Sequence, residues 1–555
     1  MRRIVASRRS LFYLTLYSIL PIYFLATVIL GAFFFYYTSA YLFYFFSVLY
    51  ALTFCVLATS RLFYFISADT TLFTWAFGPS KSIIGYSIEF NPLVSDFSTL
   101  LLFLTILIHF YSYVYFKKDP ELGRFSILLG LFVFSMLLMI NSTSFVFIFV
   151  AWEGVGLFSF LLVAFWHTKV ATFKSGVKVL FYNRVGDFFF FLLVGLVINF
   201  FKVDHVGTIQ SLMPYISAYD ITVFGVFSFK FFLSFCLTIV ILSKSAQYGF
   251  HIWLLEAMEA PLPASALIHS ATLICSGVVL FFKAPELIIY QSEVSVFILF
   301  WSSVTVCFLS FSAFYNYDIK RILAYSTGSH VSLMLGLAVT SSAKLGYLYM
   351  LTHASTKVFI FILFGYIIDM TGGVRDLRKM GGFFINANVL VLSTWGLALL
   401  SSLPLFLLPY MKDAIITKGP QYTFISDLSY FFLMLSSVFN YFYISRLFFK
   451  IFFGDRLGFI KTYFNLFFYA KPFFVFREKN FLLKTWNTPA IYLFFYILLL
   501  ESNFLIFFDY NYLNLMPGAF NFDTGFTPNP TLKYLAFSNT FFYLLTFFFF
   551  FKLFV

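Results

Sequence analysis

Apolar runs of about twenty residues recur along almost the whole chain, and they constrain the fold more than any other feature. Because backbone groups in lipid must be hydrogen-bonded internally, only helices and closed barrels cross a bilayer. The runs lack the strict alternation of barrel strands. We therefore predict an all-α polytopic membrane protein with about 14–16 transmembrane helices. The predicted spans are 11–30, 32–57, 97–116, 124–140, 144–166, 176–200, 222–243, 263–282, 294–314, 321–340, 345–369, 386–408, 424–452, 489–509 and 532–553.

The composition agrees with a membrane protein and argues against a nucleic-acid partner. Of the 555 residues, 61% are hydrophobic and 11% are charged, whereas soluble proteins carry about 25% charged residues. The formal net charge is +13, but most basic residues stand at the ends of spans. There they meet anionic lipid headgroups. We expect membrane lipids, with cardiolipin among them, rather than nucleic acid.

The four cysteines do not form a cofactor motif. They are widely spaced in apolar runs, with no CxxC and no Cys/His cluster, at Cys55, Cys236, Cys275 and Cys307. Iron–sulfur clusters, haem and structural zinc need such groupings. Nucleotide-binding glycine motifs are absent from the sequence as well. We predict that this chain holds no cofactor and no metal.

The pattern of apolar spans is broken in two places. The segment 244–263 mixes charges, Gly249 and two prolines with apolar residues, and the segment 401–413 contains Pro404 and Pro409. Interrupted helices in two separate parts of a chain are typical of ion sites built on inverted repeats.

Several ionisable residues lie inside the apolar spans, where a charge costs about 2.5–3.5 kcal/mol or more. They are Glu153, Lys178, Arg184, Asp187, Lys244, His269, Lys320, His353, Lys357, Lys412 and Asp413. Purely structural roles stay open: Arg184 and Asp187 are three residues apart and could form a structural ion pair. The start of a helix at the interface would account for Lys320 equally well. As a set, however, buried lysines, carboxylates and imidazoles are suited to proton transfer, and we expected Glu153 and Lys244 to pair across adjacent helices.

The strings around these residues resemble one family. They include WEGVGLFSFLL (152–162), NRVGD (183–187), KSAQ (244–247), ALIHSAT (266–272), DIKRILAYST (318–327), LTHASTK (351–357), RKMGG (378–382) and MKD (411–413). The chain resembles the chain 5 family of antiporter-like subunits in NADH:ubiquinone oxidoreductase (respiratory complex I), and the related subunits of multisubunit cation/proton antiporters. AMEAPLPASALIH (257–269) favours chain 5 over the shorter chain 2 and chain 4 types.

The resemblance implies a fold with two inverted five-helix repeats and two broken helices. It implies that Glu153 tunes Lys244, the central proton carrier, and that Lys178, Arg184 and Asp187 couple neighbouring antiporter-like units. His269, Lys320, His353 and Lys357 would form a hydrophilic axis, with Lys412 and Asp413 on the exit side. The implied division is N-terminal spans and a loop in 1–96, a proton-translocating core in 97–450, and a linker with the final spans in 451–555.

The implied function is proton translocation in the mitochondrial inner membrane, driven by redox chemistry elsewhere in the complex, beside a chain 4-like antiporter subunit. An antiporter of the Mrp type is the alternative, and a structural scaffold that has lost its pump chemistry is a third. The chain departs from the family at Gly249, where proline is usual, and at WLLE (253–256). The segment 510–531 is turn-like, so the family's lateral helix is predicted to be shortened or absent.

Overall fold

The computed structural model describes residues 45–46, 48–50, 53, 68–77, 82–90, 92–116, 119–216, 222–223, 227–340, 343–382 and 424–454. The predicted spans 11–30, 386–408, 489–509 and 532–553 lie outside these residues, as does most of 32–57. The predicted second break at 401–413, with Lys412 and Asp413, lies outside them too. The total number of spans and the two inverted repeats therefore stay predictions.

The described part is nearly all helical. In chain order its helices are α1 (Pro92–Tyr115), α2 (Leu122–Asn141), α3 (Phe145–Val163), α4 (Val170–Phe201), α5 (Val206–Ile216), α6 (Phe229–Lys244), α7 (Ile252–Glu256), α8 (Leu262–Ser270), α9 (Leu273–Lys283), α10 (Glu286–Ile289), α11 (Ser292–Tyr315), α12 (Ile319–Thr340), α13 (Ala343–Met370) and α14 (Phe424–Phe452). Within the described residues, nine helical segments are long and apolar enough to cross a membrane. The segment formed by α8 and α9 is completely buried by its neighbours, which places it at the centre of the bundle.

The first predicted break is confirmed. Helix α6 ends at Lys244, the backbone turns through the left-handed region at Ala246 (φ 54°) and Gly249 (φ 90°), and helix resumes at Ile252. Glycine adopts this conformation without steric cost. The indole of Trp253 donates to the carbonyl of Ser243 (3.0 Å) and so satisfies one of the acceptors that the break leaves open.

A further break interrupts the span that the sequence predicts as one continuous helix over 263–282. Helix α8 stops at Ser270 and α9 begins at Leu273. The hydroxyl of Thr272 donates to the carbonyl of Leu267 (2.8 Å), and the thiol of Cys275 donates to that of Ser270 (3.1 Å). These short side chains compete with backbone amides for the carbonyl acceptors of the helix. The apolar pattern of the sequence does not reveal this competition.

Short strands accompany the helices outside the bundle. Strands β1 (Ala68–Phe77) and β2 (Ser82–Phe90) form an antiparallel hairpin where the sequence predicts a loop. Two-residue strands at 222–223 and 227–228 precede α6, so the helix predicted from 222 begins at Phe229. Ser228 caps it by accepting from the amide of Phe231 (3.3 Å).

The hairpin is attached to the ends of the spans by backbone and carboxylate contacts. The amide of Gly85 donates to Asp204 Oδ1 (3.3 Å), and the amide of Phe145 donates to the Asp204 carbonyl (2.9 Å). The amide of Thr143 donates to the carbonyl of Ser87 (3.0 Å). Asp204 stands outside the spans, and burial raises the pKa of its carboxyl, although the amide of Gly85 opposes the change.

We expect Asp204→Asn to keep the hairpin attached, because the amide oxygen still accepts from Gly85. Asp204→Leu should lower the free energy of unfolding by about 1 kcal/mol, since the amide loses its acceptor. In the native chain, the raised pKa means that stability falls as pH rises through the pKa of the folded carboxyl, and the Asn variant should lose this dependence. Thermal unfolding at several pH values measures both effects. Equal midpoints for the Asn and Leu variants would contradict this assignment.

Candidate functional site: buried basic groups and a lateral ion-pair cluster

A cluster of ion pairs lies on the side of the bundle, where α3 meets α4. Arg184 Nη1 donates to both carboxylate oxygens of Glu153 (2.8 and 2.6 Å). Arg184 also lies 3.6 Å from the carboxylate of Asp187, which is one turn away on the same helix. The Arg184 side chain is half-exposed, whereas the Asp187 side chain is almost buried. This cluster therefore runs from the lateral surface into the bundle.

Trp152 connects the cluster to Lys244. Its indole N–H donates to Asp187 Oδ1 (2.9 Å), and its carbonyl accepts from Lys244 Nζ (2.5 Å). The same ammonium lies 4.0 Å from the centre of the indole ring, which is a cation–π distance. Sequence reasoning missed this role of Trp152, although its position directly before Glu153 is a signal.

A close approach of α4 and α6 brings Asp187 and Lys244 together. A Cβ atom at Gly186 would lie 2.0 Å from the hydroxyl oxygen of Ser243, so only glycine fits at this crossing. Because Gly186 precedes Asp187 and Ser243 precedes Lys244, the contact sets the carboxylate and the ammonium at the same level.

The expected direct pair of Glu153 with Lys244 is not what the geometry shows. The carboxylate of Glu153 is bound by Arg184, and no described carboxylate lies within 4.0 Å of Lys244 Nζ. Lys178, predicted with Arg184 and Asp187 as a coupling residue, forms an ion pair with Glu256 at the end of α7. The fully buried ammonium of Lys244 is held by a neutral carbonyl and a ring.

Two further predicted residues lie around α8. Lys320, near the start of α12, donates to the carbonyls of Ala260 (3.1 Å) and Met258 (3.4 Å), which lie just before α8. His269 is fully buried near the other end of α8, and its ring stacks on Phe361 of α13 (centroids 5.9 Å apart). Within the described residues, neither ring nitrogen of His269 has a protein hydrogen-bond partner.

A third group forms a row between α12 and α13, midway along both spans. Lys357 Nζ donates to Ser326 Oγ (2.6 Å), and His353 stands one turn before Lys357 on the same helix. His330 stands one turn after Ser326, and its ring lies 5.4 Å from that of His353 between centroids. His330 Nδ1 is hydrogen-bonded to the hydroxyl of Tyr349 (2.6 Å).

Sequence reasoning found His353 and Lys357 in this row and missed His330 and Tyr349. The available signal was that His330 lies inside an apolar run. The sequence has no ionisable residue one turn from His330 on its helix, whereas His353 is four residues before Lys357. Only the packing of α12 on α13 shows that the imidazoles face each other.

These groups give the bundle a series of proton donors and acceptors in its interior: three buried lysines, three buried histidines and the hydroxyls between them. In the described part of the chain, no group of three or more His, Cys, Asp or Glu residues is placed to hold a metal ion.

The fold and the site together define a polytopic membrane protein with an antiporter-like core. The profile of the family described as "NADH:quinone oxidoreductase/Mrp antiporter, TM" matches residues 142–442, more than half of the chain. The chain belongs to this family.

Similar sequences include fungal proteins named NADH-ubiquinone oxidoreductase chain 5. The chain is 35% identical to the protein from Hypocrea jecorina over 402 residues, covering 71% of this chain and 56% of the relative. It is 32% identical to that from Neurospora crassa over 414 residues, covering 73% and 56% respectively. The chain thus spans just over half the length of these relatives.

Two solved structures share the fold. A chain of the Mrp complex from Dietzia superposes with a TM-score of 0.68 at 20% identity, over 78% of this chain and 46% of that one. A chain of an archaeal membrane-bound sulfane sulfur reductase gives 0.65 at 18% identity, over 86% and 94%. Both likenesses concern the fold alone. The prediction of an antiporter-like membrane fold is confirmed.

We expect Lys244→Met to preserve the fold and to raise the free energy of unfolding by about 1 kcal/mol or more, because it removes a fully buried charge that no described carboxylate contacts within 4.0 Å. The matched variant Arg184→Met should be destabilising, since it leaves Glu153 without its cation. Thermal unfolding in detergent compares the two. A lower midpoint for Lys244→Met would mean that the ammonium stabilises the native fold.

Proposed function

We propose that the chain is a proton-translocating membrane-arm subunit of NADH:ubiquinone oxidoreductase in the mitochondrial inner membrane. Redox chemistry elsewhere in the complex would drive the movement of protons, and this chain would hold no cofactor of its own. The observation that carries the proposal is the series of buried lysines and histidines inside a helical bundle of this family. The similarity to chain 5 proteins favours this complex over others.

The way in which the lysines are held supports proton transfer. Lys244 and Lys320 donate to backbone carbonyls, and Lys357 donates to a serine hydroxyl. A carboxylate partner would favour the charged ammonium strongly, whereas a neutral oxygen favours it less. All three ammonium groups are also buried, and burial opposes their charge, so each can release a proton at a smaller free-energy cost than an exposed lysine.

Water would complete the path at His269. A buried imidazole whose nitrogens lack hydrogen bonds is unfavourable, and ordered water is the usual partner of such groups. His269 stacks on Phe361, one turn from Lys357. A water chain at this level would join His269 to the row on α12 and α13.

The lateral cluster supports a membrane partner. Arg184 lies about halfway along α4, where a half-exposed charge facing lipid would be costly. The surrounding surface of α4 is aromatic, and Phe181, Phe188 and Phe191 expose 59–68% of their surface. A second antiporter-like subunit of the chain 4 type would cover this charge, and Lys178 with Glu256 would lie in the same interface. Cardiolipin at the span ends stays a prediction.

Cation/proton antiport is the second candidate, because the Mrp complex shares the fold. The two functions differ in their energy source: an antiporter exchanges protons for sodium or potassium without NADH. Purification of the chain within a large assembly that oxidises NADH would favour the first, and sodium-dependent proton movement without NADH would favour the second.

The central test is Lys357→Met in the assembled complex, reconstituted in proteoliposomes with a pH-sensitive dye. We expect proton translocation to fall by about tenfold or more, because the side chain no longer carries a proton. NADH oxidation with an artificial electron acceptor should persist. Lys230→Met is the matched control, since Lys230 lies outside the row, 4.9 Å from the centre of the Tyr290 ring. Normal pumping by Lys357→Met would refute the proposed relay.

The partner surface is tested by cysteine cross-linking. Phe188→Cys on α4 should form a maleimide cross-link to a neighbouring membrane subunit, whereas Phe431→Cys on α14, equally exposed at 59%, serves as the comparison position. Mass spectrometry of the product identifies the neighbour. If Phe188→Cys gives no cross-link while other subunits are retained, lipid covers this surface and the proposed interface is wrong.

A further inference from the structure

His330 and Tyr349 form a hydrogen-bonded pair that extends the row beyond Lys357. Both side chains are fully buried, and His330 Nδ1 lies 2.6 Å from the Tyr349 hydroxyl oxygen. The His330 ring also lies 5.4 Å from the His353 ring, with 40° between the ring planes. One imidazole thus contacts a phenol on one side and faces a second imidazole on the other.

We propose that His330 is an additional proton carrier and that Tyr349 is its positioning residue. The proposal rests on the function proposed above and extends it by one step. A proton on the imidazolium of His353 passes to neutral His330, directly or through one water. His353 becomes neutral and His330 becomes the imidazolium, so the charge is conserved.

The hydroxyl of Tyr349 is suited to both states of His330. Beside the neutral ring its oxygen accepts from Nδ1–H, which selects the tautomer whose lone pair is on Nε2, and Nε2 then takes up the proton from His353. Beside the imidazolium, Nδ1–H donates and the phenol oxygen accepts. The phenol therefore keeps the ring in one orientation through the cycle.

The row of proton-carrying side chains needs both α12 and α13, because each helix supplies part of it. Ser326 and His330 are four residues apart on α12, and His353 and Lys357 are four residues apart on α13. Side chains at this spacing share a helix face. The two pairs face each other, with Lys357 on Ser326 at one level and His353 beside His330 at the next.

The test separates positioning from proton carriage. His330→Asn keeps an N–H donor in place of Nδ1–H for the Tyr349 hydroxyl oxygen, but an amide does not take up a proton near neutral pH. In the proteoliposome assay of the complete complex, we expect this variant to lose about tenfold or more of its proton translocation. Tyr349→Phe removes only the hydroxyl, and we expect it to retain pumping but to shift the pH profile by about half a unit or more.

The other titratable groups on the packed elements are unchanged in these variants, so the profile reports on the pair. They are His269 on α8, Cys275 on α9, Cys307 on α11, Tyr443 on α14, Glu256 on α7 and, beside Lys320, Glu259 and Asp369.

The outcomes distinguish this proposal from the one it rests on. Loss of pumping in both Lys357→Met and His330→Asn supports both proposals. If Lys357→Met stops pumping but His330→Asn pumps normally with an unchanged pH profile, His330 is structural and this inference is overturned. Normal pumping in Lys357→Met refutes the relay itself. If His330→Asn fails to assemble, Tyr349→Phe decides, since an unchanged pH profile in that variant overturns the pair.

Discussion

The structure depends on one constraint: cations buried in the bundle must be stabilised by oxygen atoms that other elements supply. Lys244 uses the carbonyl of Trp152, and Lys320 uses the carbonyls of Met258 and Ala260 in the interrupted segment before α8. A continuous helix spends its carbonyls on its own ladder, with only its C-terminal turn left open. The break between α6 and α8 supplies such carbonyls to Lys320, whereas Lys244 uses the second lone pair of a carbonyl inside the continuous helix α3.

The ion pairs and the lysines held by neutral oxygens lie in different parts of the bundle. Full ion pairs, such as Glu153 with Arg184, lie at the lateral surface, whereas the interior lysines contact carbonyls and a hydroxyl. Trp152 joins the two zones, because its indole N–H binds Asp187 while its carbonyl and ring hold Lys244. A change at the lateral cluster, for example through a neighbouring subunit, would thus act on Lys244 through the position of one residue.

Much of this was open to prediction from the sequence. The helices over 92–115, 122–141 and 292–315 follow from apolar runs of spanning length, and the break after Lys244 follows from Gly249 and the charges around it. The break at Ala271 and Thr272 was missed, because Thr272 and Cys275 replace ladder bonds without changing hydropathy. The β1–β2 hairpin was missed as well: it packs on the loops at the ends of the spans, and those contacts are remote in sequence.

By itself, the sequence determined that the chain crosses a membrane as helices, that it belongs among the antiporter-like subunits, and that several lysines and histidines, among them Lys244 and His353, lie inside apolar spans. The free-energy cost of a charge in lipid makes such residues conspicuous in any apolar run. Only the tertiary structure decided the partners. Glu153 binds Arg184 rather than Lys244, and His330 meets both Tyr349 and His353, because side-chain pairing depends on how helices pack, and helix packing is not encoded in the periodicity of any single helix.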